Sequence, residues 1–149
     1  IKDAETPFER LHLLLFSHAH RDHFEPTMAL DLLRSRKDCL LVGNSVTIGE
    51  LKDAGGTDFP GLEPRTRNLN PDWGMTLAEK PAGIPIKVFP VNHGEPERPY
   101  VTLAYLMYLD GFTVLHLGDI SAPSNVGYFP KFGLENEDID IAFVDPFFL

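Results

Sequence analysis

The segment His18-Ala19-His20-Arg21-Asp22-His23 places three imidazoles and a carboxylate within six residues. It directly follows the apolar run Leu11-His12-Leu13-Leu14-Leu15-Phe16. Imidazole and carboxylate are the usual ligands of zinc and similar borderline metals. Side chains two apart on an extended backbone share a face, so His18 and His20 can point the same way. Asp22 and His23 are expected to turn off at the start of the following helix, where they can face a second metal. The alternative is a polar loop that happens to be rich in histidine. Half of the chain's six histidines in one hexapeptide weigh against it.

Two later positions offer partners. His93 follows the strand-like run Ile86-Lys87-Val88-Phe89-Pro90-Val91-Asn92 and precedes Gly94. Asp119 follows Val114-Leu115-His116-Leu117-Gly118, where Gly118 permits a tight backbone turn. Alone, each would read as a turn residue. The hexapeptide's need for further ligands gives both a ligand reading. His116 alternates with Leu115 and Leu117, which suits a packed histidine or one that supports a ligand from behind. His12 reads as a packed or surface strand residue. Arg21 can steer an anionic substrate or balance nearby carboxylates, and the sequence leaves both open.

These residues need elements to hold them. Residues 10–16 read as a buried strand. Pro26 suits the first turn of a helix that runs through Met28, Ala29, Leu30, Leu32 and Leu33 and ends in the basic Arg34, Arg36 and Lys37. Residues 39–43 read as a second strand. Asn44 or Ser45 can cap a helix through Leu51 that stops near Gly55-Gly56. Residues 56–82, rich in Gly, Pro, Asn and Asp, read as a long loop with one short strand around Gly74 to Leu77. Within it, Phe59 and Trp73 read as packing residues before pocket residues. Strands are expected at about 84–91, 100–109 and 112–117, with Asp110-Gly111 as a hairpin turn. A loop or short helix covers 123–132, and Ile139 to Val144 reads as one more buried strand. The class is mixed α and β with at least one sheet.

Composition sets limits. The chain has 149 residues, 43% of them hydrophobic and 23% charged, enough for one compact domain with a core. A net charge of −9 argues against general affinity for nucleic acid, although bound metal can supply positive charge locally. Cys39 is the only cysteine, which excludes an intrachain disulfide and a thiolate zinc cage. Within Cys39-Leu40-Leu41-Val42 it reads as a buried, inert thiol. No run is long and apolar enough to suggest a membrane-spanning helix, and no signal peptide is visible in a chain that starts at Ile1 without methionine. A cytoplasmic location is the expectation, and oligomeric state is left open.

With its motifs in this order, the chain resembles the metallo-β-lactamase superfamily. The matching residues are Ser17-His18-Ala19-His20-Arg21-Asp22-His23, then Asn92-His93-Gly94, then His116-Leu117-Gly118-Asp119. The resemblance covers roughly residues 10–145. The subgroup it looks most like is the ascorbate-phosphate-lactonase-like hydrolases, whose hairpin before the bridging aspartate reads much like Tyr100 to Asp119. The resemblance implies an αββα sandwich of the α/β (α+β) class. His18, His20 and His93 would bind one metal, Asp22 and His23 the other, and Asp119 would bridge both. The implied activity is metal-dependent hydrolysis of a small-molecule lactone, ester, amide or phosphodiester by hydroxide held between two metals. Asp22 would orient the nucleophile and move a proton, and Asp119 would hold the metal pair. Two zinc ions are the expectation, with manganese or iron compatible with the same ligands. Other branches fit less well: the di-iron branch carries Glu where His20 stands, and cysteine-ligated β-lactamases carry Cys where Asp119 stands. The tRNA-processing branch is disfavoured by the acidic charge. Two alternatives stand beside the enzyme: a non-catalytic metal-binding or sensory domain, and a structural single-zinc protein.

The chain also departs from that pattern. Few residues precede the first strand, where relatives build much of a sheet. No histidine follows His116, where relatives supply a further ligand to the second metal. His12 stands where relatives often carry an acidic or polar residue. The expectation is that residues 1–149 form one domain that is an incomplete segment of a larger one, lacking its first strands and its C-terminal end.

Overall fold

The computed structural model describes residues 10–94, 100–121 and 125–145. The chain divides into two compact units, Ile1–Asn68 and Leu69–Leu149.

The first unit is built from β1 (Leu13–Leu15), α1 (Pro26–Ser35), β2 (Leu40–Gly43), α2 (Ser45–Gly55), α3 (Phe59–Leu62) and β3 (Thr66–Asn68). Its sheet has the order β1-β2-β3 and is parallel throughout, with Leu14 beside Leu41 and Val42 beside Arg67. Parallel neighbours need crossover connections, and the helices provide them. The Glu25 side chain caps α1 by accepting from the Met28 N–H, and Pro26 sits in the first turn, where its missing N–H costs nothing. Ala29, Leu30 and Leu33 form the buried stripe of α1. At its far end Arg65 Nη1 donates to the carbonyls of Leu33 at 2.6 Å and Arg36 at 2.9 Å, which meets acceptors the helix leaves open. Asn44 Oδ1 caps α2 by accepting from the Thr47 N–H at 3.0 Å. The strand-to-helix step is tight: a Cβ on Gly43 would lie 2.8 Å from Thr47 Cγ2. The core of this unit gathers Phe24, Leu30, Leu33, Cys39, Leu41, Leu51 and Phe59.

The second unit holds β4 (Leu77–Glu79), β5 (Ile86–Asn92), β6 (Val101–Leu109), β7 (Phe112–His116) and β8 (Ile141–Phe143) in that spatial order. All neighbours are antiparallel except β7 and β8, which are parallel. Asp110 and Gly111 both have positive φ, 47° and 90°, the backbone of the two-residue hairpin turn. Phe89, Val91, Ala104, Leu106, Leu115 and Leu117 pack with Ile120 and Phe132. A short 3₁₀ turn at Leu134–Asn136 is fastened to the sheet just beyond its end. Lys87 Nζ pairs with the Glu137 carboxylate, and Tyr108 Oη donates to Glu137 Oε2 at 2.9 Å.

A mixed α/β fold with two sheets and few helices is what the resemblance leads one to expect, but several local expectations need correction. Residues 56–82 are not one long loop. They contain α3, β3, β4 and three 3₁₀ turns, so two short strands replace the one expected, and these lie in different sheets. Pro60, Pro64 and Pro81 sit at or near the starts of helical turns here, which a reading of proline as loop punctuation misses. Phe59, by contrast, packs in the core as expected. Asp22 and His23 do not open a helix: residues 21–23 form a turn closed by bonds from the His23 and Phe24 N–H groups to the His20 carbonyl, and α1 begins at Pro26. The last strand is exposed, not buried, with Ile141 at 46% and Phe143 at 59%. Its apolar composition suggests a central strand, whereas among the described residues it is the sheet's outer member. No helix among the described residues is long and apolar enough to cross a membrane.

Candidate metal centre

In the first unit the hydrogen-bond ladder of β1 continues through Phe16, whose N–H donates to the Val42 carbonyl at 2.9 Å. The chain then leaves the sheet and turns at residues 21–23. His18 is 0% exposed, so its ring needs partners within the protein. Ser17 Oγ lies 3.0 Å from His18 Nδ1, and His18 Nε2 lies 3.1 Å from His20 Nδ1. The His18 and His23 rings approach to 4.4 Å between centroids. Three imidazoles of the hexapeptide thus converge. Asp22 is different: its side chain is 77% exposed, and its carboxylate meets His23 Nε2 at 3.6 Å.

In the second unit His93 follows the last residue of β5, and its N–H donates to the Tyr100 carbonyl at 2.9 Å. Its Nε2 lies 3.6 Å from Asp119 Oδ2. Asp119 follows a tight turn in which Gly118 has φ 64° and its N–H donates to His116 Nδ1 at 2.9 Å. His116 therefore supports the turn before Asp119, and its ring faces Phe143 at 6.1 Å. His12 is exposed, as is Arg21.

The donor chemistry fits a divalent cation. Two nitrogens bound to one tetrahedral zinc at about 2.0–2.1 Å lie roughly 3.3 Å apart. The separation of His18 Nε2 and His20 Nδ1, 3.1 Å, is close to that. A proton on His18 Nδ1 donated to Ser17 Oγ leaves the Nε2 lone pair for a metal, the usual way a ligand histidine is oriented. The His–carboxylate separations of 3.6 Å in each unit suit shared coordination equally. Cys39 takes no part: it is fully buried, and burial pushes its thiol pKa up.

Sequence reading missed the polar side chains behind these ligands. Ser17, Thr102, Asn92 and Asn125 are all buried. Ser17 and Asn92 lie within the matching motifs, where the pattern alone assigns them no role. Asn125 lies in the stretch 123–132 that reads as a loop or short helix, and its bonds to Asn92 bridge 33 positions, which no local pattern reveals.

Comparison with known proteins gives this geometry a family. The family described as "Beta-lactamase superfamily domain" matches residues 2–148. A structural match at TM-score 0.58 and 20% identity is the "Putative metal-dependent hydrolase" of Parabacteroides distasonis; it covers 91% of this chain and 54% of that one. Another, at TM-score 0.56 and 17% identity, is the metallo-beta-lactamase fold protein YhfI of Bacillus subtilis, covering 93% of this chain and 50% of that one. The chain thus spans about half the length of these two solved structures. No curated protein matches it. The mixed α/β architecture with two sheets is that of the metallo-β-lactamase fold, and the chain belongs to the beta-lactamase superfamily.

Proposed function

We propose that this chain carries the metal centre of a hydrolase that acts on a small-molecule lactone, ester, amide or phosphodiester. The observation that carries the reading is the convergence of His18, His20 and His23, with two ring nitrogens 3.1 Å apart. In this proposal His18, His20 and His93 would hold one metal, Asp22 and His23 a second, and Asp119 would serve both. Zinc is the first candidate, with manganese and iron next, because all accept imidazole and carboxylate. When bound, the metals supply a nucleophilic hydroxide at neutral pH and polarise the bond to be broken.

The protein's own groups do the rest. Ser17 orients His18 through Nδ1. The exposed Asp22 carboxylate is available to take a proton at Oδ2 and pass it to the leaving group. Arg21, exposed beside it, can attract an anionic substrate. Residues 1–149 are read as a segment of a larger domain, a reading supported by their span of about half of each matched structure.

The test is a metal analysis and a substrate panel on the natural full-length protein. Two metal equivalents with turnover of a generic lactone or phosphodiester are expected. His20→Ala should remove turnover and one metal, and Asp22→Asn should remove turnover while retaining most of the fold. Metal binding without hydrolysis across the panel would favour a sensory or structural metal domain instead.

A further inference from the structure

The edge of β5 outlasts its neighbour. Pairing with β4 ends at Val88, opposite Leu77, while β5 continues to Asn92. At Asn92, the residue before His93, a side chain stands where a strand would. Asn125 is fully buried; its Oδ1 accepts from the Asn92 N–H at 2.7 Å, and its Nδ2 donates to the Asn92 carbonyl at 2.7 Å. A primary amide offers the donor and acceptor that a neighbouring peptide would offer, so it can close a sheet edge with one residue.

The same amide reaches a second segment. Asn125 Nδ2 also donates to the Ser121 carbonyl, and the Ser121 N–H donates to the Asn92 carbonyl at 2.8 Å. Ser121 lies two residues after Asp119. Asn92 in turn ties the backbone around His93: its Oδ1 accepts from the N–H groups of Gly94 and Tyr100, both at 2.8 Å. Thr102 Oγ1 donates to the Asp119 carbonyl at 3.0 Å. Each end of the His93–Asp119 pair is therefore held by buried or part-buried hydrogen bonds. Buried polar networks that are fully satisfied rigidify what they join.

We propose that Asn125, assisted by Thr102, is a positioning residue of the metal centre. It fixes the spacing of His93 and Asp119 by bonding the backbone one residue before His93 and two residues after Asp119. The inference rests on the reading of His93 and Asp119 as ligands. It adds that metal affinity is set in part by an amide that touches no metal, as outer partners of ligands commonly do.

The experiment uses the full chain, stripped with chelator and titrated with zinc by calorimetry. The visible spectrum of the cobalt-loaded protein reports coordination, and melting of the metal-free form reports fold. Asn125→Ala should weaken zinc binding roughly 10- to 100-fold and alter the cobalt spectrum. Thr102→Val, which keeps the side-chain shape and loses the bond to Asp119, should weaken binding several-fold. A lowered melting temperature with unchanged zinc affinity and cobalt spectrum would show a purely structural amide and overturn the proposal. Should Asn125→Ala not fold, unchanged affinity in Thr102→Val overturns it. His93→Ala and Asp119→Ala are run in parallel and should each lose a metal. Full metal binding in both would overturn the ligand reading itself, and the positioning role with it.

Discussion

A fully buried imidazole is costly unless both ring nitrogens are engaged, and His18 shows how the problem is met here. Ser17 takes one nitrogen and the cluster with His20 takes the other. Ser17→Ala leaves Nδ1 without that partner, at a cost of about 1–3 kcal/mol. It should also loosen the orientation of the ring, weakening zinc binding roughly tenfold or more in titration while circular dichroism stays native. Retained affinity would mean that the hydroxyl serves only packing. Cys39 tests the opposite condition, a group with no reactive role. Buried and with its thiol held up in pKa, it should resist a thiol reagent at neutral pH until the chain is denatured. Fast labelling of the native protein would refute that. The ligand types were legible from the hexapeptide alone because three imidazoles and a carboxylate in six residues have few other uses. Their supports were not, since an Asn or Thr that bonds a distant backbone looks like any other turn or strand residue.

Elements with strong local chemistry were readable in the sequence. Asn44 with the glycine pair at 55–56, and Pro26 at a first turn, bracket the two long helices closely. Asp110-Gly111 marks the hairpin. Short strands escaped: Thr66-Arg67-Asn68 is polar and half exposed, and it becomes β3 only because β2 lies beside it. Ile141-Ala142-Phe143 misled in the other direction, its apolar residues lying exposed on the outer strand. The anchor at Glu137 belongs to this scale. The hydrogen bonds from Lys87 and then Tyr108 hold its carboxyl below the usual range, and the bond to Glu137 holds Lys87 above the usual ammonium range. A depressed acid stabilises the fold above its ordinary pKa and loses that contribution as pH falls through the folded value. A raised base stabilises below its ordinary pKa and loses the contribution as pH rises through the folded value. The pair is therefore intact across neutral pH and weakens at both extremes. With Lys87 half exposed, Glu137→Gln should cost about 1 kcal/mol, lowering Tm by roughly 2–4 °C at pH 7. The gap between variant and wild type should narrow at strongly acidic pH. An equal gap at every pH would assign the loss to packing.

At the scale of the whole chain, the proposed ligands are far apart in sequence: His18, His20, Asp22 and His23 near its start, His93 and Asp119 toward its end. A metal bound by such a set binds only the folded chain, so its affinity adds to stability. At a free zinc concentration of 100 times Kd the gain is about 2.7 kcal/mol, a rise in Tm of roughly 5–10 °C for a chain of this size. The acidic net charge of −9 offers a competing source of stabilisation, since any divalent cation relieves self-repulsion. The two differ in salt and in ion. Diffuse attraction is screened at high ionic strength, whereas coordination by imidazole and carboxylate is not. Zinc should therefore raise Tm in 0.5 M salt where magnesium does not, because magnesium prefers oxygen ligands and holds its water. His18→Ala and His93→Ala should each remove most of the zinc shift. The shift should also fade on acidification, because imidazole must be deprotonated to bind. A zinc shift that survives in both variants, or that magnesium reproduces in high salt, would place the effect in surface charge and leave the proposed centre without support.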